Sequence, residues 1–207
     1  MNSKQHDFDA YAFSKREDYD EALVSAEFAK AVPLTTVVVY CYDPRAAGIP
    51  QAIASEFGEV FPGEVLLDES GNKAASTASV FEVVVAGGRA VDALRSVTVA
   101  QHLFGIENIV IVHHSHCGAT SFTADGIVAA YRHEHDVDIS TLYPEDSICI
   151  GDYTTSLAHD VQLMRNSEGT PRHADIYGYF YDIDTESLTR VVYDAADAGR
   201  KTRSAAT

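Results

Sequence analysis

Hydrophobic positions along this chain alternate between two periods. The stretch Thr35 to Cys41 (TTVVVYC) is continuous and β-branched, as a strand covered on both faces should be. Helical spacing follows at Ile49, Ile53 and Phe57. Leu67 to Ser79 (LDESGNKAASTAS) is small, polar and turn-prone, which predicts a surface excursion. A second strand is predicted at Phe81 to Ala86, ending in Gly87 and Gly88, and then a helix with Val91, Leu94, Val97 and Phe104 on one side. The run IVIVHHSHCGAT, Ile109 to Thr120, opens with four β-branched residues and passes directly into three histidines and a cysteine. Helices across about 123–133 and 156–166, and the strands DIYGYFYDI and LTRVVYD, complete the pattern. Strands taking turns with helices predict an α/β fold, a mainly parallel sheet flanked by helices. The segment before it, with Leu23, Phe28 and Val32 at loose helical spacing, reads as an N-terminal helical arm lying across the domain or across a partner subunit. These boundaries give an arm over 1–33, one α/β domain over 34–194 and a frayed tail over 195–207.

Composition narrows the uses of such a fold. At 207 residues and 46% hydrophobic, the chain can bury one sizeable core. Fifteen Lys and Arg stand against 31 Asp and Glu, for a formal charge of −16, which repels nucleic acid and anionic lipid surfaces. No run approaches the roughly 20 apolar residues of a membrane span, and the polar opening lacks the apolar core of a secretory signal, so the expected location is cytoplasmic. Three widely spaced cysteines, Cys41, Cys117 and Cys149, suit reduced thiols or metal ligands better than a disulfide framework.

Donor placement carries the chemistry. In open parallel sheets ligands bind outside the carboxyl ends of the strands. Cys41 closes the first strand, and His114 and Cys117 lie at and just past the end of the third. If those strands are neighbours, two thiolates and an imidazole converge, a set that suits zinc and leaves a fourth position open, as catalytic sites do. Spacing alone leaves the alternative of two small buried thiols beside a strand-end histidine. Asp43 and Arg45, two residues apart on an extended segment, can form a forked ion pair that keeps the carboxylate ionised and oriented. A solvated loop pair is the plainer reading of the same residues.

Taken together, CYDPR at 41–45, AGGRAVDALRS at 86–96, LFGIENIVIVHHSHCGATSFT at 103–123 and IYGYFYDIDTESLTRV at 176–191 resemble the β-class carbonic anhydrases. The resemblance spans about Thr35 to Val191. It implies zinc on Cys41, His114 and Cys117, Asp43 and Arg45 as the switch and orienting pair, a parallel sheet flanked by helices, and an intimate dimer or larger homo-oligomer bound partly by the arm. Hydration of CO2 to bicarbonate by metal-bound hydroxide is the implied reaction. Of the three histidines only His114 matches the family's spacing before the second cysteine. His113 should face away from the site, because consecutive strand residues point to opposite faces. His116 falls between the ligands, where it relays protons or only lines the loop. Cys149, in the apolar run SICIG, belongs in the core. The amides of Gly87 and Gly88 are candidates to hold a substrate or product oxygen, with a helix-starting turn as the alternative.

The chain also departs from the family pattern. Val84 and Val85 stand where many members carry Arg-Asn, the excursion at 67–79 lengthens the link between motifs, and His116 replaces a smaller or acidic residue. Carbonyl sulfide and carbon disulfide hydrolases share this fold and zinc set, and an apolar approach favours their substrates. Hydrolysis of carbonyl sulfide or carbon disulfide, releasing hydrogen sulfide, is therefore the second expectation. A zinc-binding relative that is catalytically idle is the third.

Overall fold

The computed structural model describes residues 8–143 and 145–197. Its centre is a five-stranded sheet of β1 (Thr36–Cys41), β4 (Val80–Val85), β5 (Asn108–His114), β6 (Asp175–Asp182) and β7 (Ser187–Asp194), in the order β4-β1-β5-β6-β7. All neighbours run parallel except β6 and β7, which form an antiparallel closing pair. Two short strands, β2 (Val65–Leu67) and β3 (Lys73–Ser76), make a separate antiparallel ribbon; β2 precedes the stretch read as a surface excursion, sharing only Leu67 with it, and β3 lies inside it. That ribbon is largely exposed, the apolar Val65, Leu66 and Leu67 of β2 included.

Every residue of β1 is buried, and in β5 all but Asn108 are, because helices cover both faces. On one face Val37, Val39, Ile109 and Ile111 pack with Val97 of α3 (Leu94–Phe104) and with Leu157, Val161 and Met164 of α6 (Tyr153–Asn166). On the other, Val38, Tyr40, Val110 and Val112 pack with Ile49 and Ile53 of α2 (Ile49–Phe57). Period-2 alternation thus divides each central strand between two cores. Two further helices, α4 (Ala124–His135) and α5 (Glu145–Ile148), lie between β5 and α6 in the chain.

The arm is less regular than its spacing predicts. Two 3₁₀ turns, Phe8–Tyr11 and Phe13–Lys15, precede α1 (Glu21–Ala31), which begins at an Asp20 cap whose carboxylate accepts from the Leu23 amide at 3.0 Å. No residue of α1 is fully buried. It rests on the body through Phe28, whose ring lies 5.6 Å from that of Phe104. At the other end the first residues of the expected tail are pinned: the Ala196 amide donates to Asp175 and the Asp197 amide to the Arg172 carbonyl. Residues 198–207 of that tail lie outside the described residues, as do 1–7 of the arm. No helix among the described residues is long and apolar enough to cross a membrane.

Candidate metal centre

β1 and β5 are direct neighbours, with Val39 beside Ile111, so their carboxyl ends stand together. Cys41 is the last residue of β1 and His114 the last of β5. Past His114 the chain reverses tightly. His116 takes a left-handed φ of 56°, uncommon for a residue with a side chain, and the reversal carries Cys117 back over the strand ends. One ligand-capable atom from each of Cys41, His114 and Cys117 lies within 4.8 Å of the others, and all three side chains are buried. The two sulfurs are 3.9 Å apart.

The donors are prepared for a cation. His114 Nδ1 lies 2.9 Å from the Ser115 carbonyl, which can only accept, so that nitrogen carries the proton. Nε2 is then a lone-pair donor, buried and without a hydrogen-bond partner among the described residues. An unsatisfied buried nitrogen beside two thiols is costly in a metal-free core and is the tautomer that zinc-binding histidines adopt. Between the sulfurs, the Cys117 thiol donating to Cys41 draws Cys41 well below the ordinary thiol range, against the opposing effect of burial. The amides of Asp43 and Gly87 add to that lowering. Cys117 moves upward, through its bond to Cys41 and through burial. The charge and the shared proton in the pocket are what a divalent ion would replace. Two sulfurs and one imidazole nitrogen fit zinc.

Asp43 and Arg45 form the fork that their spacing suggests. Arg45 Nε donates to Asp43 Oδ1 at 3.0 Å and Nη2 to Oδ2 at 2.6 Å, and the Arg45 amide also donates to Oδ1 at 3.0 Å. Arg45 Nη2 reaches the His116 carbonyl as well, at 3.1 Å, tying the pair to the loop between the two β5-side donors. The guanidinium beside it holds the Asp43 carboxyl far below the usual carboxylate range. The Asp43 carboxylate is not one of the atoms gathered within 4.8 Å; a tetrahedral ion held by the three donors alone would have one position left. The His116 ring stands at the mouth, 72% exposed, with Nε2 4.0 Å from Asp184.

No family model matches the chain. Among curated proteins it is similar to a carbon disulfide hydrolase of Acidithiobacillus thiooxidans, 32% identical over 112 residues, 47% of this chain and 56% of that protein. It is similar also to β-carbonic anhydrase 1 of Mycobacterium tuberculosis, 29% identical over 103 residues, 48% of this chain and 59% of that one. The chain thus spans little more than half the length of these curated relatives. Among solved structures, a carbonic anhydrase from Streptococcus mutans matches with a TM-score of 0.57 at 25% identity, over 76% of this chain and 81% of that one. The chain is thus similar over part of its length to both β-carbonic anhydrases and a carbon disulfide hydrolase, and its fold is that of the β-class carbonic anhydrases.

Within the β-carbonic-anhydrase fold, the glycine pair has a role that the sequence did not show. Gly87 and Gly88 both adopt left-handed φ, 65° and 70°. A Cβ on Gly88 would lie 2.5 Å from the Val112 carbonyl oxygen and 3.2 Å from the Cys41 nitrogen, so this residue is wedged between the two donor strands. The Gly87 amide is directed at the Cys41 sulfur. Both glycines thus lie beside the end of β1 that carries Cys41.

His113 points away from the donors, as alternation requires, and is fully buried with Nε2 3.3 Å from Asp160. Cys149, read as core, is only half-buried; its neighbour Ile150 takes the core position against Cys41 and Cys117, with Ala119 and Tyr153 beside it. Sequence reasoning missed the buried pair Arg89 and Asp160. The signal was present: Asp160 sits three residues after Leu157, before Val161 and Met164, a charge on the apolar face of α6.

Proposed function

We propose that this chain is a zinc enzyme that hydrates CO2 to bicarbonate. The observation that carries the reading is the buried Cys41, His114 and Cys117 triangle, with an unsatisfied imidazole nitrogen and a carboxylate locked by arginine beside it. When bound there, zinc supplies a Lewis acid that makes water nucleophilic near neutral pH, an effect that two thiolates moderate toward alkaline conditions. Asp43, ionised and held by both Arg45 nitrogens, accepts a hydrogen bond from the attacking water and turns its lone pair toward the substrate carbon. Arg45, anchored on the His116 carbonyl, prevents that carboxylate from swinging into the donor triangle. Gly87 and Gly88 let backbone approach the donors, and the Gly87 amide stabilises the Cys41 thiolate. Ile150 and Ala119 supply an apolar wall that receives a small linear molecule and keeps bulk water back.

A second reading, hydrolysis of carbonyl sulfide or carbon disulfide at the same centre, is favoured by that wall and by the similarity to a carbon disulfide hydrolase. The chain would act as a dimer or larger homo-oligomer, because α1 buries no residue and Leu23 on it is 65% exposed. A thiol-reducing compartment such as the cytoplasm suits the three free cysteines.

The deciding experiment runs stopped-flow CO2 hydration beside sulfide release from carbonyl sulfide and carbon disulfide, on protein assayed for zinc. A fast CO2 rate with one zinc per chain supports the first reading, and sulfide release without it supports the second. Full zinc with neither activity over pH 7 to 9 would leave an idle zinc-binding relative.

A further inference from the structure

Asp160 is fully buried behind the donor triangle, on the opposite face of β5 from His114. A charge there is tolerated only if its oxygens are well satisfied, and they are. Arg89 donates from Nε at 2.8 Å and from Nη2 at 3.0 Å, the Ala90 amide donates at 3.2 Å, and the rings of His113 and His159 each approach at 3.3 Å. Because a carboxylate can only accept, His113 donates from Nε2. Its Nδ1 has no hydrogen-bond partner among the described residues, so Asp160 is the polar anchor of that ring.

From this one carboxylate, short connections run toward each of the three donors. His113 immediately precedes His114, and fixing one side chain of a strand fixes the direction of the next. Arg89 and Ala90 immediately follow the glycine pair whose first amide is aimed at the Cys41 sulfur. Arg89 Nη1 also bonds the Cys149 carbonyl. The next residue, Ile150, packs on both cysteines and donates its amide to the Ala119 carbonyl at 2.9 Å. The Ala119 amide in turn faces the Cys117 sulfur. A helix packed on the sheet needs none of this: Leu157, Val161 and Met164 already seat α6 through apolar contact. We propose that Asp160 is a positioning residue for the metal centre, a buried hub that sets the Cys41, His114 and Cys117 donors in one geometry through His113, Arg89 and Ala90.

This inference rests on the zinc reading, and its test separates the two. The full chain is stripped of metal and titrated with cobalt(II), reading the thiolate-to-cobalt and d–d absorption bands, and zinc affinity is measured by chelator competition. Asp160→Asn should weaken zinc binding by about 10- to 100-fold, the range for partners behind a metal's own ligands, and should shift the cobalt d–d bands. His113→Leu, which leaves the Arg89 pair intact, should weaken it about tenfold, and His113→Gln, which keeps a donor toward Asp160, should recover affinity and bands close to the starting protein. Circular dichroism of the metal-free variants separates lost positioning from lost fold. Folded Asp160→Asn with unaltered affinity and bands would overturn the inference. If that variant does not fold, His113→Leu and His113→Gln indistinguishable from the starting chain overturn it instead. Failure of the unaltered chain to bind either metal overturns the zinc reading, and this inference with it.

Discussion

Two helices of this chain, α6 and α1, lie against the same body and end up in opposite states. In α6, six residues are buried, among them two charged ones, and each charge is met by several donors or acceptors: Asp160 by Arg89, Ala90 and His113, and Arg165 by Asp194 and the Ala174 carbonyl. In α1 nothing is fully buried, and the helix leans on the body mainly through the Phe28 and Phe104 rings. Both helices open with an aspartate cap. The difference lies in what the far face meets. Where α6 packs behind the site, its two charged side chains are out of water and had to be met by specific partners. Where α1 lies on the flank, an apolar groove of about 390 Å³ between α1 and β3 is left open, and no single arrangement is demanded. Precision at the carboxyl end of the sheet thus comes from satisfied burial, and latitude at the arm from its absence.

The contrast predicts a ranking of effects. Cys41→Ser should abolish stoichiometric zinc, measured by metal analysis after dialysis, while Leu23→Ser on α1 leaves it untouched; equal zinc in both would break the contrast at its strongest point. Gly88→Ala comes next. It should lower stability by about 3 kcal/mol in denaturant titration, since the new Cβ meets the Val112 carbonyl. Gly58→Ala, equally left-handed at 68° but with open space around it, should lower stability by only about 1 kcal/mol. Asp43→Ala should retain zinc and slow turnover by roughly 100-fold, which stopped-flow kinetics would reveal.

Acid provides a milder probe of the same difference. Burial alone would raise the Asp160 carboxyl, but the bonds from His113 and Arg89 outweigh it and hold it at about 2. A carboxyl depressed on folding stabilises the native state above its unfolded pKa. The contribution of about 2 kcal/mol is therefore complete above roughly pH 4 and is lost as pH falls toward 2. Acid unfolding followed by circular dichroism should show that window. The exposed pair of Lys15 and Asp9 in the arm, 3.8 Å apart, should add nothing measurable, so Lys15→Ala should change stability by less than about 0.5 kcal/mol.

Much of the site was legible because its signals are local. Period-2 alternation in IVIVHH turned His113 from His114, and the two-residue spacing of Asp43 and Arg45 allowed the fork that the structure contains. The close approach of Gly88 to the Val112 carbonyl and the pairing of Asp160 with Arg89, at a separation of 71 residues, were not legible because those partners come from elsewhere in the chain. A charge in an apolar helical stripe shows that something must meet it, without showing what.

By itself, then, the sequence determined the strand and helix periods, the donors at the strand ends and the fork at 43–45. Those follow from steric and hydrogen-bonding rules that act over a few residues. Only the tertiary structure decided that β1 and β5 are neighbours, that the tight reversal at His116 returns Cys117 to Cys41, and that one buried carboxylate stands behind all three donors. Strand order and the pairing of buried charges depend on which distant surfaces exclude water together, and no short window of sequence contains that information.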